Sequence, residues 1–581
     1  MRCSHLAALL LAAILGLTPF IAMPQNGSLR IPGESNGGSV LLPNGWTLTP
    51  AGEQIQVGGL PLAMALHPDG RYLVVANSGA APRTIDVIDL TQRKIVSRAP
   101  ADESWLGLGL NADGTGVYAG GGMKNSILRF SLREGNIAAT SSIPIGNSKA
   151  NSSPGGLCIA DQRLYVANNL GNDLAAVEIG SNKVIANVSV GDHPYACVVS
   201  PDGKSVFISL WGEGEVAVVD TESFKVMDRF LTEEHPNAMA LSSDGKLLFV
   251  ANGNGNTLSV IDIEAGRAVE RISLALYPGS LAGSTPNALA LTRDGSRLYV
   301  ANAGNNDVAV VDTAVPGESK VLGFIPVGWF PTALALSADG KTLYVANGKG
   351  VRSLPSAMGQ LPAGGVPTAD RYEPAESPLR GTVSVIPIPD SAALAKYTDR
   401  VYQNTPYTDQ ARQSVPPLGQ NPIPRRVGDK SPIQHVIYII KGSRSYDELF
   451  GDIPEGDGDD RLAIFGATVT PNHNALAREF VLLDQFYADG EGRAAGYQWA
   501  TAAYATDYWE KAWPSQSFGG RELYKHDPGA LAMGAPSVGY IWDNCRRVGV
   551  SYRIYGEGFI PESGAGIPRW KSLEGHSDPL Y

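Results

Sequence analysis

Two short stretches of the chain carry the side chains that could do chemistry. The first, IIKGSRSYDELFGD (439–452), holds Ser445 and Asp447, and the second, DGEGRAAGYQW (489–499), holds Asp489 and Glu491. A hydroxyl can act as a nucleophile, and carboxylates can hold a divalent metal that activates a bond for hydrolysis. One interpretation is therefore a hydrolase site built from these four residues.

The first stretch overlaps the end of an apolar run, IQHVIYII (433–440), which is typical of a parallel strand buried on both faces. Open α/β sheets place their active sites at the carboxyl ends of such strands. Gly442 and Ser443 occupy the start of this loop. Glycine offers no side-chain ligand and serine offers only a neutral oxygen, so the loop is a poor place for a hard metal ion.

The part of the chain before residue 390 repeats itself. Seven hydrophobic anchors lie 42 to 50 residues apart, at Val74, Tyr118, Tyr165, Phe207, Phe249, Tyr299 and Tyr344. This period is typical of a four-stranded propeller blade and excludes the 33- and 34-residue helical repeats. A turn precedes each anchor, and six of the seven turns are Asp-Gly, which tolerates the positive φ of a tight hairpin. The repeat therefore predicts antiparallel strands on either side of each turn.

These units resemble the YVTN family of seven-bladed β-propellers over residues 41–390. The resemblance implies a mainly β fold of seven blades closed into a ring. Because a ring must pair its terminal strands, we expect GWTLTPAGEQIQVG (45–58) and GTVSVIPIP (381–389) to share the last blade. Residues 349–379 are then an insertion within that blade.

Polar side chains recur at two positions of the repeat. His193 and His235 each precede a proline at matching positions and could line one mouth of the ring. Two histidines without a third ligand in the same register favour a structural role over a metal site. The Asn of the VAN motif is expected to hydrogen-bond nearby backbone at a turn, in the five units where it stands at 77, 168, 252, 302 and 347.

Residues 432–581 resemble the phosphoesterase family related to alkaline phosphatases, in the subgroup that follows a YVTN propeller. The segments that carry the resemblance are HVIYIIKGSRSYDELFGD, FGATVTPNHNALAREFVLLDQFYADGEG, QWATAAYATDYWEKAWP, GVSYRIYGEG and LEGHSDPLY. The resemblance implies a partial α/β domain of the alkaline-phosphatase type, and in active relatives a divalent metal cofactor. The chain ends part-way through the family's pattern, so we expect a truncated domain.

The residues that serve catalysis in that family are replaced in this chain. Active relatives read E-N-R-[ST]-[YF]-D in the first loop, and their metal-binding Glu and Asn fall on Gly442 and Ser443. Their second loop reads D-G-E-V-S-A-D-G-H-N-W, and its Ser, Asp and His fall on Arg493, Ala495 and Tyr497. We therefore expect no catalytic or metal site and no cofactor.

The alternative is a hydrolase of phosphate esters with an unconventional site. It would use Ser445, Asp447, Asp489 and Glu491 with a divalent metal. The favoured interpretation is a binding or scaffold protein, whose partner is an unidentified ligand at the propeller mouth or another protein.

The amino terminus indicates an exported protein. Residues 1–22 combine Arg2, an apolar run and a small-residue cleavage site, as in a secretory signal, and the run is too short for a transmembrane anchor. We expect a periplasmic or extracellular location.

The formal net charge of −11 gives no footprint for nucleic acid. Cys158, Cys197 and Cys545 are expected to be small buried residues, and proline-rich residues 391–431 to be a linker.

Overall fold

The fold is mainly β, and it is a β-propeller. The structure is a computed structural model, and it describes residues 31–35, 37–79, 82–145, 152–351, 379–405, 422–424, 429–442, 444–490, 493–517, 533–555, 559–560, 567–568 and 576–578. Within these ranges, seven four-stranded antiparallel sheets form the blades. The innermost strand of each blade packs against the next, and that of the last packs against that of the first, so the blades close into a ring.

The strands of each blade follow one another along the chain, from the inner to the outer edge. Blades 1 to 3 consist of Pro61–Leu66, Tyr72–Asn77, Thr84–Asp89 and Lys94–Pro100; Leu108–Leu110, Gly116–Gly120, Ser126–Arg133 and Asn136–Pro144; and Pro154–Ala160, Arg163–Asn168, Asp173–Glu178 and Lys183–Ser189. Blades 4 to 6 consist of Pro194–Val199, Ser205–Leu210, Glu215–Asp220 and Val226–Leu231; Pro236–Leu241, Leu247–Asn252, Thr257–Asp262 and Arg267–Ser273; and Pro286–Leu291, Arg297–Asn302, Asp307–Asp312 and Lys320–Pro326.

Blade 7 closes the ring with strands from both ends of the repeat. It consists of Trp329–Leu336, Thr342–Gly350, Thr382–Pro387 and Glu53–Gln56. Val383 pairs with Ile55 across this closure, which confirms the shared terminal blade expected from the sequence. The central residues 352–378 of the expected insertion lie outside the described residues. A small sheet of Gly33–Glu34, Val40–Leu41 and Thr47–Leu48 precedes the closing strand.

The turns and the VAN asparagines keep the blades regular. In the six Asp-Gly turns the glycine has a φ between 67° and 74°, a conformation that other residues adopt only with strain. The VAN asparagines are fully buried, and they mainly bind side chains rather than the backbone predicted for them. Asn302 Nδ2, for example, donates to Asp307 Oδ1 at 2.8 Å, at the first residue of the third strand. The amide therefore ties the second strand to the third.

Cys158 and Cys197 form a disulfide between blades 3 and 4, with their Cα atoms 5.7 Å apart. The sequence interpretation of these residues as simple buried hydrophobes is wrong, because the inner strands of neighbouring blades bring the two side chains together. Cys545 has a free thiol.

A helix, α1 (Ser391–Asn404), follows the last blade. Asp390 caps its first turn, and Leu394 and Val401 are buried against the propeller. Thr398 Oγ1 accepts from the backbone N–H of Phe324 at 2.9 Å, so the helix is fixed to the outer strand of blade 6. The first part of the predicted linker is therefore part of the packed propeller.

The regular secondary structure of the described residues after 430 is mostly helical. The α-helices of this region are α2 (Tyr446–Phe450), α3 (Pro471–Glu479), α4 (Arg493–Ala502), α5 (Asp507–Ser517) and α6 (Ile541–Arg547). A short 3₁₀ helix lies at Asp460–Leu462, and another lies in the propeller at Gly122–Lys124. Ile554–Tyr555 pairs in parallel with Ser577–Asp578, and Phe559–Ile560 pairs with Ile567–Pro568. These two-residue pairs are the sheet structure of this region where the chain is described. The α/β phosphatase-like fold is not confirmed.

The predicted buried strand at 433–440 does not form. These residues have no regular secondary structure, and Ile437 and Ile439 expose 88% and 79% of their surface. The physical reason is that a parallel strand is stable only between neighbouring strands and under helices. The described residues supply no such neighbours to this segment. Its apolar composition therefore does not lead to burial in this structure.

Candidate functional site

The mouth is the end of the ring at which the loop from the outer strand of one blade enters the inner strand of the next blade. The connections between second and third strands lie at the same end, because adjacent strands run antiparallel. In six blades the residue just before the proline of the inner strand has a φ between 45° and 58°; these residues are Leu60, Ser153, His193, His235, Thr285 and Phe330. Positive φ is uncommon for residues other than glycine. The repeat thus holds a ring of side chains at the mouth.

Helix α5 is inserted in this mouth. Tyr508 and Ala512 of the helix are fully buried in an apolar cluster with mouth residues from several blades, which are Leu60, Leu62, Trp105, Leu106, Tyr195 and Trp211. Trp105 Nε1 donates to the carbonyl oxygen of Lys511 at 3.2 Å. The helix therefore contacts the propeller through both side chains and backbone.

A buried ion pair lies at the centre of this contact. Asp507 and Lys511 are four residues apart on one face of α5, and their side chains are 0% and 1% exposed. Lys511 Nζ donates to Asp507 Oδ2 at 2.8 Å and to Tyr195 Oη at 2.7 Å. Asp507 Oδ2 also accepts from Asn237 Nδ2 at 3.0 Å and lies 3.3 Å from His235 Nε2. Blades 4 and 5 thus contact both charges of the pair.

Aromatic rings frame the ion pair. Trp211 stacks on Tyr195 on one side and on His235 on the other, with ring centroids 4.2 and 4.3 Å apart. The ammonium of Lys511 lies 4.7 Å from the ring centre of Tyr195 and 5.7 Å from that of Trp211. Such contacts stabilise a cation that has been removed from water.

A second ion pair anchors the helix at blade 7. Lys349 Nζ donates to Glu510 Oε1 at 2.8 Å and to the carbonyl oxygen of Asp489 at 3.3 Å. The Lys349 ammonium also lies 5.0 Å from the ring centre of Trp329 and 5.3 Å from that of Phe330. The two pairs fix the orientation of α5 from opposite parts of the ring.

Burial controls the titration of these groups. Burial raises the pKa of Asp489 to about 7, with Lys349 working against the shift and Glu510 reinforcing it. Burial lowers the pKa of His235 and of Lys511, and in each case Asp507 offsets part of the shift. Burial works to raise the pKa of Asp507, but Lys511 and His235 outweigh it, so this pKa is lowered. Burial therefore outweighs Asp507 in setting the pKa of His235, which is lowered.

The residues predicted from the two loops lie in different surroundings. Ser445 caps α2, where its hydroxyl accepts from the backbone N–H of Glu448, and Asp447 Oδ1 accepts from the backbone N–H of Asp459 at 2.9 Å. Asp489 Oδ2 accepts from Asn44 Nδ2 at 3.4 Å. The described contacts of Ser445 and Asp447 stay within residues 444–459, so they do not join either residue to Asp489.

The replaced family positions are only partly described. Gly442 is exposed, and a Cβ built on it would meet nothing within 4 Å. Ser443 and Glu491 lie outside the described residues, and so does the side chain of Arg493. Among the described residues, no group of three or more His, Cys, Asp or Glu side chains could hold a metal ion. The four-residue hydrolase site stays a prediction.

The sequence interpretation found His193 and His235 at the mouth but missed their partners. His193 Nδ1 lies 2.7 Å from Asp192 Oδ1, and His235 faces Asp507. Blade 4 carried a signal for the site, because Leu210 and Trp211 stand where the VAN motif would place Asn and the residue after it. Blade 2 also lacks the asparagine, with Gly121 in its place, but blade 4 is the unit that follows this position with a tryptophan.

One comparison with known protein families agrees with the propeller. The sequence profile of a family described as Lactonase, 7-bladed beta-propeller matches residues 235–352, which span blades 5 and 6 and the first strands of blade 7. Among solved structures, the hydrazine synthase of Kuenenia stuttgartiensis is similar, with 19% sequence identity and a TM-score of 0.43 over 50% of this chain and 93% of that chain. No curated protein matches by sequence. No helix within the described residues is long and apolar enough to cross a membrane.

Proposed function

We propose that this protein is an exported β-propeller of the binding or scaffold class, whose mouth receives a helix from a degenerate, non-catalytic phosphoesterase-like segment. The observation that carries the proposal is the complete burial of Asp507 and Lys511 between residues of blades 4 and 5. Burying two charges is expensive unless their partners are in place, and the propeller contributes three of those partners. The mouth is therefore suited to recognise a polar group rather than to exclude it.

Export is supported by the Cys158–Cys197 disulfide, because such bonds persist in oxidising compartments. It is also supported by the signal-like composition of residues 1–22. Amino-terminal sequencing of the protein after expression in its secretory form tests this part. We expect the mature chain to begin near Met23, and a cytoplasmic protein with an intact amino terminus would contradict export.

A non-catalytic carboxy-terminal segment is supported by the replaced positions Gly442 and Ser443 and by the separate surroundings of Ser445 and Asp489. The test is hydrolysis of a generic phosphate ester by the full chain with zinc, manganese or calcium. A simple lactone is included because the matched family is named for lactonases. We expect no turnover above that of a metal blank.

Ser445 offers a matched pair of variants for this assay. Ser445→Ala removes both the hydroxyl and the cap of α2, whereas Ser445→Asn keeps a capping side chain without the hydroxyl. Metal-dependent turnover of the phosphate ester that both variants abolish would assign the hydroxyl a catalytic role. That result would replace the scaffold proposal with a phosphate-ester hydrolase.

A further inference from the structure

The mouth at blades 4 and 5 presents two different kinds of polar group side by side. Asn237 Nδ2 and His235 Nε2 face the carboxylate of Asp507, at 3.0 and 3.3 Å. Tyr195 Oη and the rings of Tyr195 and Trp211 face the ammonium of Lys511. The propeller wall thus has a place for an anion next to a place for a cation.

The propeller itself holds these groups in position. Asn237 Oδ1 accepts from Trp211 Nε1 at 2.7 Å, and Asn237 Nδ2 also donates to the carbonyl oxygen of Pro286 at 3.1 Å, so the amide cannot turn over. Trp211 is fixed by stacking between Tyr195 and His235. None of these supports comes from α5. The propeller therefore orients Asn237 and Trp211 through its own contacts, as in a preformed ligand site, and Tyr508 of α5 adds an edge-on contact with Trp211 at a centroid distance of 6.0 Å.

The asparagine of this site recurs in another blade, whereas the tryptophan does not. Blade 6 repeats the asparagine as Asn287, whose Nδ2 donates to the carbonyl oxygen of Pro331 at 3.2 Å, in the same way that Asn237 contacts Pro286. Blade 4 alone among the repeat units places a tryptophan directly after the second-strand motif, at Trp211. Asp507 Oδ1 is buried and has no hydrogen-bond partner in the described part of the chain, so the wall pairs with one of the two carboxylate oxygens.

We propose that this mouth is a binding site for small α-amino acids, and that the Asp507–Lys511 pair occupies it as an internal mimic. The inference rests on the proposed function, in which α5 sits in the mouth. The pair holds an ammonium 2.8 Å from a carboxylate oxygen, which is close to the separation of the two groups within an α-amino acid. A primary ammonium fits better than a quaternary one, because Tyr195 Oη accepts an N–H.

The test uses the full chain with the double variant Asp507→Ala/Lys511→Ala, which removes the mimic and leaves the wall intact. Calorimetric titrations with glycine and L-alanine are compared with titrations of acetate, ethylammonium and glycine betaine. We expect glycine or L-alanine to bind at least about tenfold more tightly than the single-charge ions and the betaine, since each lost polar contact is worth about a factor of ten. Adding Asn237→Ala should weaken this binding by about tenfold.

A folded double variant that binds neither amino acid, or binds them no better than acetate and ethylammonium, overturns the proposal. If the double variant does not fold alone, its refolding is repeated with each compound present, because a ligand that binds only the folded state stabilises it. Refolding that glycine or L-alanine restores, and that acetate, ethylammonium and glycine betaine do not, supports the proposal, whereas equal effects of all five compounds overturn it. Rapid hydrogen exchange of α5 in the unaltered chain would instead contradict the proposed function, so the two failures are distinguishable.

Discussion

Replacing Lys511 with Met removes the ammonium from the mouth while keeping most of the side-chain volume. Asp507 would then be a fully buried carboxylate that keeps Asn237 as a donor but loses its cation. Breaking a buried ion pair by removing one partner costs about 3–5 kcal/mol. Because every 1.4 kcal/mol is a factor of ten, the helix should open about two to four orders of magnitude more often.

The assay is amide hydrogen exchange of residues 507–512, measured by mass spectrometry in the full chain. The matched control is Asp507→Asn/Lys511→Met, which replaces the pair by two neutral side chains of similar size. Removing both charges together is close to neutral or stabilising, so this control should exchange close to the rate of the unaltered chain. A single variant that exchanges within about threefold of the unaltered chain, or a double variant as fast as the single one, would refute the ion-pair argument.

Two further predictions concern buried carboxylates whose pKa values are raised. For such a group the native state holds the proton more tightly, so its stability contribution is present below the unfolded pKa and is lost as pH rises through the folded pKa. For Asp307, raised by burial from 3.8 to about 8, the loss between pH 4 and 8 is at most about 5 kcal/mol. Asp307→Thr installs the residue found at this position in blades 1, 5 and 7. The free energy of unfolding of this variant, measured by urea titration, should no longer fall over that pH range. A pH dependence of the unfolding free energy equal to that of the unaltered chain would contradict the assignment. For Asp489, whose pKa is raised to about 7, Asp489→Asn should abolish a smaller loss of stability between pH 4 and 7. If the amide hydrogen exchange of α5 in this variant depends on pH as it does in the unaltered chain, the prediction for Asp489 is wrong.

The propeller could be predicted from the sequence because each blade repeats the same local pattern. The Asp-Gly turns and the VAN motif are short-range signals, the anchor spacing shows their period, and the ring closure follows from pairing the leftover strands. The segment 433–440 shows the limit of this reasoning. Its apolar run predicts a strand, but burial depends on neighbouring strands that the pattern of one segment does not supply.

The contact between α5 and the mouth could not be predicted from local patterns. Asp507 meets Asn237 across 270 residues of chain, and no periodicity links two such positions. The available clues were indirect: the histidines before the inner strands, the tryptophan at 211 in place of the usual motif, and a charged pair four residues apart in a helix. Each indicates a local peculiarity, and only the packed fold brings them together.

The burial of Lys511 is the most direct test of the central claim that α5 occupies the mouth. Brief acetylation of the folded full chain, followed by peptide mass spectrometry, compares Lys511, 1% exposed, with Lys204, whose side chain is 79% exposed. The structure predicts that Lys511 stays unmodified under conditions that acetylate Lys204 completely, and that Lys511 becomes reactive once the chain is unfolded in urea. Acetylation of Lys511 at the rate of Lys204 in the folded protein would show that the helix does not lie in the mouth.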